Sequence, residues 1–248
     1  MSKAVLYDST LCVGCKECET ACSQRWGLPY NDKVAAEERL SSRKLTTITT
    51  HGERFNRRLC MHCDQPACAS VCPVGALTKT ALGPVVYDAD KCMGCRYCMT
   101  ACPFGVPSYE WDKRLPKVRK CDMCYDRQRA GKPTACSEAC PAEATVTGER
   151  EEILALARKR MAENPSQYHP KIYGLREVGG TSVFFLSAVP FEKLGMRTDL
   201  PQEPLPALTW RVLAHVPDVV TVGSVLLGGI YWISNRREEV AKAEGRKK

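Results

Sequence analysis

Val5–Cys22, VLYDSTLCVGCKECETAC, aligns without a gap on Val85–Cys102, VVYDADKCMGCRYCMTAC, at a constant offset of 80 positions. Tyr7, Asp8, Gly14, Thr20 and Ala21 recur as Tyr87, Asp88, Gly94, Thr100 and Ala101. Each copy reads as a short strand, a cysteine loop and a short helix. A second repeated type begins at Cys60 (CMHCDQPACASVCPVGA) and at Cys121 (CDMCYDRQRAGKPTACSEACPAEA).

Working outward, these segments hold all 16 cysteines of the 248-residue chain. They form four sets: Cys12, Cys15, Cys18, Cys22; Cys60, Cys63, Cys68, Cys72; Cys92, Cys95, Cys98, Cys102; and Cys121, Cys124, Cys136, Cys140. Sets one and three are spaced C-x2-C-x2-C-x3-C. Sets two, three and four end in Cys-Pro, at Pro73, Pro103 and Pro141, whereas set one ends in Cys22-Ser23. Three closely spaced thiolates wrap three corners of a cubane. The fourth lies about a helical turn further on and points to a neighbouring cluster. Proline then ends the local helix. Thiolate is the soft ligand that an iron–sulfur cluster needs. Zinc ribbons use two C-x2-C pairs per ion, and the triple C-x2-C-x2-C is crowded for a tetrahedral ion. Disulfide-dense scaffolds are usually short secreted domains. The pattern therefore predicts four [4Fe-4S] clusters on a duplicated two-cluster ferredoxin. The repeat alone leaves open which sets pair.

Residues 3–145 resemble the four-cluster iron–sulfur subunits of membrane-bound respiratory oxidoreductases. These include the beta subunits of formate dehydrogenase and the ferredoxin subunit of hydrogenase-2 type nickel–iron hydrogenases. The resemblance implies a nested pairing, set one with set four and set two with set three. Carried over, one cluster takes Cys12, Cys15, Cys18 and Cys140, and its neighbour takes Cys121, Cys124, Cys136 and Cys22. The third takes Cys60, Cys63, Cys68 and Cys102; the fourth takes Cys92, Cys95, Cys98 and Cys72. No cysteine is replaced, so no three-iron centre is expected.

The formal charge is +8. Sixteen thiolates contribute roughly −16 and four oxidised cores roughly +8, so the loaded protein is near neutral. No nucleic-acid footprint is read from the basic excess. Residues 23–59 are rich in Arg and Lys and read as a solvated cover over the clusters, with a docking face for a catalytic partner as the alternative. Within them, Asn31–Leu40 is expected to contain a short helix and Lys44–Thr50 a strand. His62 reads as a packing or surface residue, or else as one that tunes the cluster beside Cys63. No role is assigned to His51, His169 or His215. There is no nucleophile motif, phosphate loop or Rossmann signature, so substrate chemistry is expected on a partner.

After the cysteines, Arg150–Pro165 predicts an amphipathic helix with Ile153, Leu154, Leu156, Ala157 and Met161 on its apolar face. A strand is expected at Ser182–Ser187, and Leu200–Pro206 reads as a Pro-rich linker. Gly179-Gly180-Thr181, the strand and Val189–Gly195 (VPFEKLG) are more similar to the hydrogenase-2 type subunit than to that of formate dehydrogenase. Val219–Ile233 is uncharged over 15 residues. That is roughly 22 Å of helix against a hydrocarbon core of about 30 Å. Extension back to Val212 recovers the length but takes in His215 and Asp218, so a buried or interfacial helix is the alternative. Tyr231 and Trp232 as an aromatic belt, the small pair Ser224 and Gly228, and the basic flank of Arg236, Arg237 and Gly245–Lys248 favour a span.

The expected fold class is α+β: duplicated bacterial-type two-cluster ferredoxin modules with long insertions, plus a C-terminal transmembrane helix. The expected organisation is 1–148 four-cluster domain, 149–207 helix, strand and linker, 208–235 transmembrane helix, and 236–248 basic cytoplasmic tail. The positive-inside rule puts the C-terminus in the cytoplasm and the cluster domain in the periplasm, at a bacterial inner membrane. The start, MSKAVLYDSTLC, has no apolar signal core and no twin arginine. Export as a passenger on a partner is the expectation that fits this orientation. The expected partners are a catalytic subunit (a nickel–iron hydrogenase or a molybdopterin enzyme), a quinone-reactive integral membrane subunit and the lipid bilayer. The expected role is electron relay between the two subunits. Relay in a molybdenum or tungsten formate dehydrogenase, or in a dimethyl sulfoxide or polysulfide reductase, is the alternative.

Overall fold

A computed structural model describes residues 2–245. In chain order the elements begin with β1 (Lys3–Asp8), α1 (Glu17–Trp26), α2 (Asp32–Ala36), β2 (Thr47–His51), β3 (Arg54–Arg58) and α3 (Ala67–Ser70). There follow β4 (Leu77–Lys79), β5 (Val85–Tyr87), α4 (Tyr97–Ala101), β6 (Ser108–Tyr109), β7 (Val118–Arg119) and α5 (Tyr125–Arg129). The last are α6 (Ala135–Glu138), β8 (Thr145–Glu149), α7 (Arg150–Glu163), β9 (Val183–Leu186), α8 (Leu205–Leu213) and α9 (Val216–Ala243). Residues 1–206 form one compact unit and residues 207–248 a second.

The centre of the first unit is a three-stranded sheet in the order β8-β1-β9. β1 runs antiparallel to β8, with Val5 opposite Thr147, and parallel to β9, with Val5 opposite Val183. Side chains on a strand alternate between faces, and here both faces are buried. Val5, Tyr7, Val183 and Phe185 join Ile48, Leu59, Tyr173, Phe191 and the cysteines Cys18 and Cys136. Ala4, Leu6, Phe184 and Leu186 meet Ile153, Leu154 and Ala157 of α7. The sheet thus separates a cysteine-bearing core from an aliphatic one. The segment after residue 148 is part of this unit: β9 extends the sheet and α7 covers it. Asp8, at the end of β1, is fully buried and pairs with Arg160 of α7 at 3.0 Å and with the Tyr168 hydroxyl at 2.9 Å.

Three short hairpins carry the remaining strands: β2 with β3, β4 with β5, and β6 with β7. The helix expected within 31–40 is shorter than that span, and its N-cap Asn31 accepts from the Val34 amide at 3.1 Å.

The basic stretch before Cys60 is not wholly a solvated cover. Arg39 and Arg43 reach solvent, but Lys44 and Arg57 lie in the interior. Burying the long stems of these side chains is favourable, and their charged heads then require partners inside.

In the second unit, Pro217 lies in the first turn of α9, where its missing amide costs nothing. Helix α8 begins at Leu205, inside the stretch read as linker, with Pro206 in its first turn. Helix α9 continues past residue 235 to Ala243, because Glu238, Glu239, Ala241 and Lys242 are good helix formers. The stretch Leu205–Ala243 is long and apolar enough to cross a membrane. Val219, Val225, Leu226, Leu227, Ile230, Tyr231 and Trp232 are all exposed. Arg246, Lys247 and Lys248 of the expected basic tail lie outside the described residues.

Candidate metal centres

The residue before the second cysteine has a left-handed backbone in all four loops: Gly14 (φ 71°), His62 (50°), Gly94 (78°) and Met123 (56°). In the fourth loop this turn brings the Met123 amide onto a cysteine sulfur, and amides elsewhere also reach sulfur. The Met123 amide donates to Cys121 Sγ at 3.3 Å, Ala135 to Cys124 Sγ at 3.4 Å and Ala76 to Cys72 Sγ at 3.2 Å. Two loops use glycine and two accept a strained residue, at a cost of about 1–2 kcal/mol each. At Gly14 and Gly94 glycine also answers a close approach. A Cβ would stand 2.5 Å from the Phe55 ring in the first case and 2.9 Å from the Tyr109 hydroxyl in the second.

The helices that follow differ at their ends. The helices α3, α4 and α6 stop before Cys72, Cys102 and Cys140, since the residue before proline is pushed out of the helical region. Cys22, followed by serine, stays inside α1, which runs on to Trp26 and is capped by Gly27. The departure from Cys-Pro in set one therefore lengthens a helix. Arg25, one turn beyond Cys22, binds Asp122 at 2.7 Å and ties this helix to the fourth loop.

Two cavities are each walled by four cysteines. Cys12, Cys15, Cys18 and Cys140 wall one cavity with Tyr7, Ile48 and Ala144. Cys22, Cys121, Cys124 and Cys136 wall a second with Arg57, Leu59 and Thr134. Cys63 lies in the field of Cys60, Cys102 and Cys68. Cys98 lies in that of Cys92, Cys95 and Cys72.

None of the 16 cysteines is in a disulfide. Burial, reinforced by neighbouring sulfurs, pushes Cys18 and Cys68 up to about 12 and Cys98 and Cys124 up to about 11. The same causes raise Cys22, Cys63 and Cys121. Such thiols ionise together only when a cationic core compensates them, which is how metal binding couples to deprotonation. Two cysteines are already drawn down. Burial works to raise Cys136, but the charge of Arg57 and hydrogen bonds from Arg57 and Thr134 lower it. At Cys72 the amides of Leu77, Ala76, Val74 and Gly75 outweigh burial.

The His62 ring is buried, and its Nδ1 accepts from the Val85 amide at 2.8 Å. The opposite nitrogen, Nε2, is therefore the protonated one and is a buried donor with no protein acceptor. Burial, then Lys120 and Lys79, hold this ring neutral. Soft donors in fours, inward amides and this unanswered donor beside Cys63 all fit a sulfide-bearing metal core. His51, His169 and His215 lie away from the cysteines in sequence, and His51 bonds Thr49.

Sequence reading missed Arg57 and Lys120. Arg57 Nε donates to Thr46 Oγ1 at 2.9 Å and Nη1 to Thr145 Oγ1 at 3.0 Å. Lys120 Nζ donates to the carbonyls of Val85 and Cys121, with Cys60 Sγ at 4.0 Å. Nothing in their local sequence marks them as interior.

Residues 53–150 match the family described as 4Fe-4S dicluster domain. The chain is 38% identical to the hydrogenase-2 operon protein HybA of Escherichia coli O157:H7, over 81% of this chain and 73% of that protein. It is 34% identical to the nitrate-inducible formate dehydrogenase iron–sulfur subunit of Escherichia coli K12, over 74% of this chain and 67% of the relative. A protein of Nitratidesulfovibrio vulgaris is 39% identical over 98% of this chain and 70% of its own length.

Proposed function

The chain belongs to the family of iron–sulfur subunits that includes these hydrogenase-2 and formate dehydrogenase proteins, and from that premise we propose that it is the electron relay of a membrane-bound respiratory oxidoreductase. The observation that carries this reading is the gathering of Cys12, Cys15, Cys18 and Cys140 round one cavity and of Cys22, Cys121, Cys124 and Cys136 round another.

Each group would hold one 4Fe-4S cluster, which supplies reversible one-electron reduction. The first is held by Cys12, Cys15, Cys18 and Cys140, and the second by Cys121, Cys124, Cys136 and Cys22. The third is held by Cys60, Cys63, Cys68 and Cys102, and the fourth by Cys92, Cys95, Cys98 and Cys72. Sets one and four, and sets two and three, are then the two nested ferredoxin modules. The chain's own residues fix the spacing, donate amides to sulfur and exclude water. These are the protein's levers on potential.

The catalytic partner is a nickel–iron hydrogenase in this reading, and the acceptor a quinone-reactive integral membrane subunit. The helical stretch from Leu205 anchors the chain in a bacterial inner membrane. Arg236 and Arg237 keep the C-terminus in the cytoplasm and leave the cysteine unit in the periplasm. The relationship to formate dehydrogenase subunits supports a second reading with formate as donor.

The test is purification from detergent-solubilised membranes with iron analysis, identification of co-purifying subunits, and hydrogen- and formate-dependent dye reduction. About sixteen irons per chain, a nickel–iron subunit and hydrogen activity are expected. A molybdenum or tungsten subunit with formate activity moves the donor to formate. Recovery of the chain alone in the soluble fraction overturns the membrane role.

A further inference from the structure

We propose that Arg57 and Lys120 are fixed positive charges at the junctions between neighbouring cysteine groups, and that they hold the reduction potentials of the groups they adjoin upward. This rests on the assignment of those groups to clusters.

Arg57 is 2% exposed and Lys120 5%. Among the described residues neither is ion-paired to a carboxylate; Arg57 donates to two hydroxyls and Lys120 to two carbonyls, and each also lies against cysteine sulfur. A buried cation without an anion is strongly disfavoured. The anionic partners left to them are the thiolates and whatever those bind.

Each cation stands where two groups meet. Arg57 walls the cavity of the second group beside Cys121 and Cys136, and it donates at 3.0 Å to Thr145, which walls the cavity of the first. Lys120 lies 4.0 Å from Cys60 Sγ of the third group and holds the Cys121 carbonyl of the second at 2.9 Å. Among the described residues the fourth group has no interior cation of this kind: Lys91 and Arg96 at its loop are exposed, and Arg96 lies over the Tyr109 and Trp111 rings.

The chemistry follows from charge. Reduction adds one electron to a group and no proton, so the group gains one negative charge. A cation in a medium of low dielectric favours that reduced form, whereas an exposed cation is screened by water and salt. A cation shared by two groups also weakens their mutual repulsion, so both can hold electrons at once. The first three groups would then form a levelled stretch of the row, with the fourth set apart.

The test is an EPR-monitored redox titration of the purified complex carrying Arg57→Met, Lys120→Met, Arg57→Lys or Lys120→Arg, with iron content measured on each sample. Iron content tests the cluster assignment independently of the potentials. With iron retained, Arg57→Met is expected to shift two of the four midpoint potentials downward. Lys120→Met is expected to shift two as well, one of them shared, and one potential moves in neither. The charge-preserving variants keep the parent potentials. Unchanged potentials in fully loaded methionine variants, or equal shifts of all four, overturn the proposal. If one methionine variant loses iron, the other decides by the same criterion. Loss of iron from the charge-preserving variants as well means that shape rather than charge is what matters, and also overturns it.

Discussion

The Lys44 ammonium sits 2.7 Å from the Glu19 carboxylate, with both side chains closed off from solvent. Glu19 lies in α1 between Cys18 and Cys22. It also takes the Ile48 amide at 2.5 Å and the Tyr30 hydroxyl at 2.7 Å. Lys44 further binds the carbonyls of Val34, Ala35 and Glu37. The pair nails the first cysteine helix to the β2 hairpin. Removing one partner strands the other charge, so Glu19→Ala or Lys44→Met is expected to cost about 3–5 kcal/mol. Denaturant unfolding of the loaded protein under anaerobic conditions measures this, and a loss below about 1 kcal/mol contradicts it.

The two loop glycines should not be equally tolerant. Gly14→Ala drives a methyl into the Phe55 ring, while Gly94→Ala meets only the tip of Tyr109. Both also pay for a left-handed alanine, about 1–2 kcal/mol, and overpacking adds about 1–3 kcal/mol at Gly14. Thermal unfolding should rank Gly14→Ala as the worse, with Phe55→Leu in the same chain restoring part of the loss.

Ser23→Pro would write Cys-Pro at the one site that lacks it. Here the substitution falls inside α1, removes a helical amide and displaces Cys22. The expected cost is about 3 kcal/mol, with a lower iron content. Parent-like iron and stability would mean that the last turn of α1 is dispensable.

Glu110 supplies an acid-sensitive clasp. Burial works to raise its carboxyl, but Lys113, Arg119 and the Lys117 amide hold it below the usual carboxylate range. Its stabilisation is complete above the unfolded value of about 4.3 and is lost as pH falls through the lowered folded value. The β6–β7 hairpin, whose Tyr109 packs over Gly94, should therefore loosen below about pH 4. Glu110→Gln should be less stable at neutral pH and show less further loss in acid. An identical acid profile for the two proteins argues against the clasp.

Leu226→Arg, at mid-helix in α9, should release the chain from the membrane. A central arginine costs about 2.5–3.5 kcal/mol on insertion. Carbonate extraction of membranes reads this directly, and unchanged membrane retention would contradict a span by α9.

The loops and the central strands were legible because their signals are local. Cysteine spacing, the repeat at offset 80 and the continuous apolar runs of β1 and β9 all survive without knowledge of neighbours. Helix α7 follows from the spacing of Ile153, Leu154 and Ala157. The two- and three-residue strands β4 to β7 are too short to leave a period. Proline at 206 read as linker because proline stops helices more conspicuously than it starts them. The interior cations were hidden for a different reason. Arg57 and Lys120 look in sequence like any surface Arg or Lys, and only the convergence of distant thiols makes a place for them.

The cavity walled by Cys12, Cys15, Cys18 and Cys140 has a consequence for how the molecule is made. A ribosome delivers three of these thiols early and the fourth only after every other cysteine has appeared. In the proposed pairing, the groups that use only Cys60 to Cys102 would be complete well before that. The earliest thiols of the chain would then wait longest for their fourth partner.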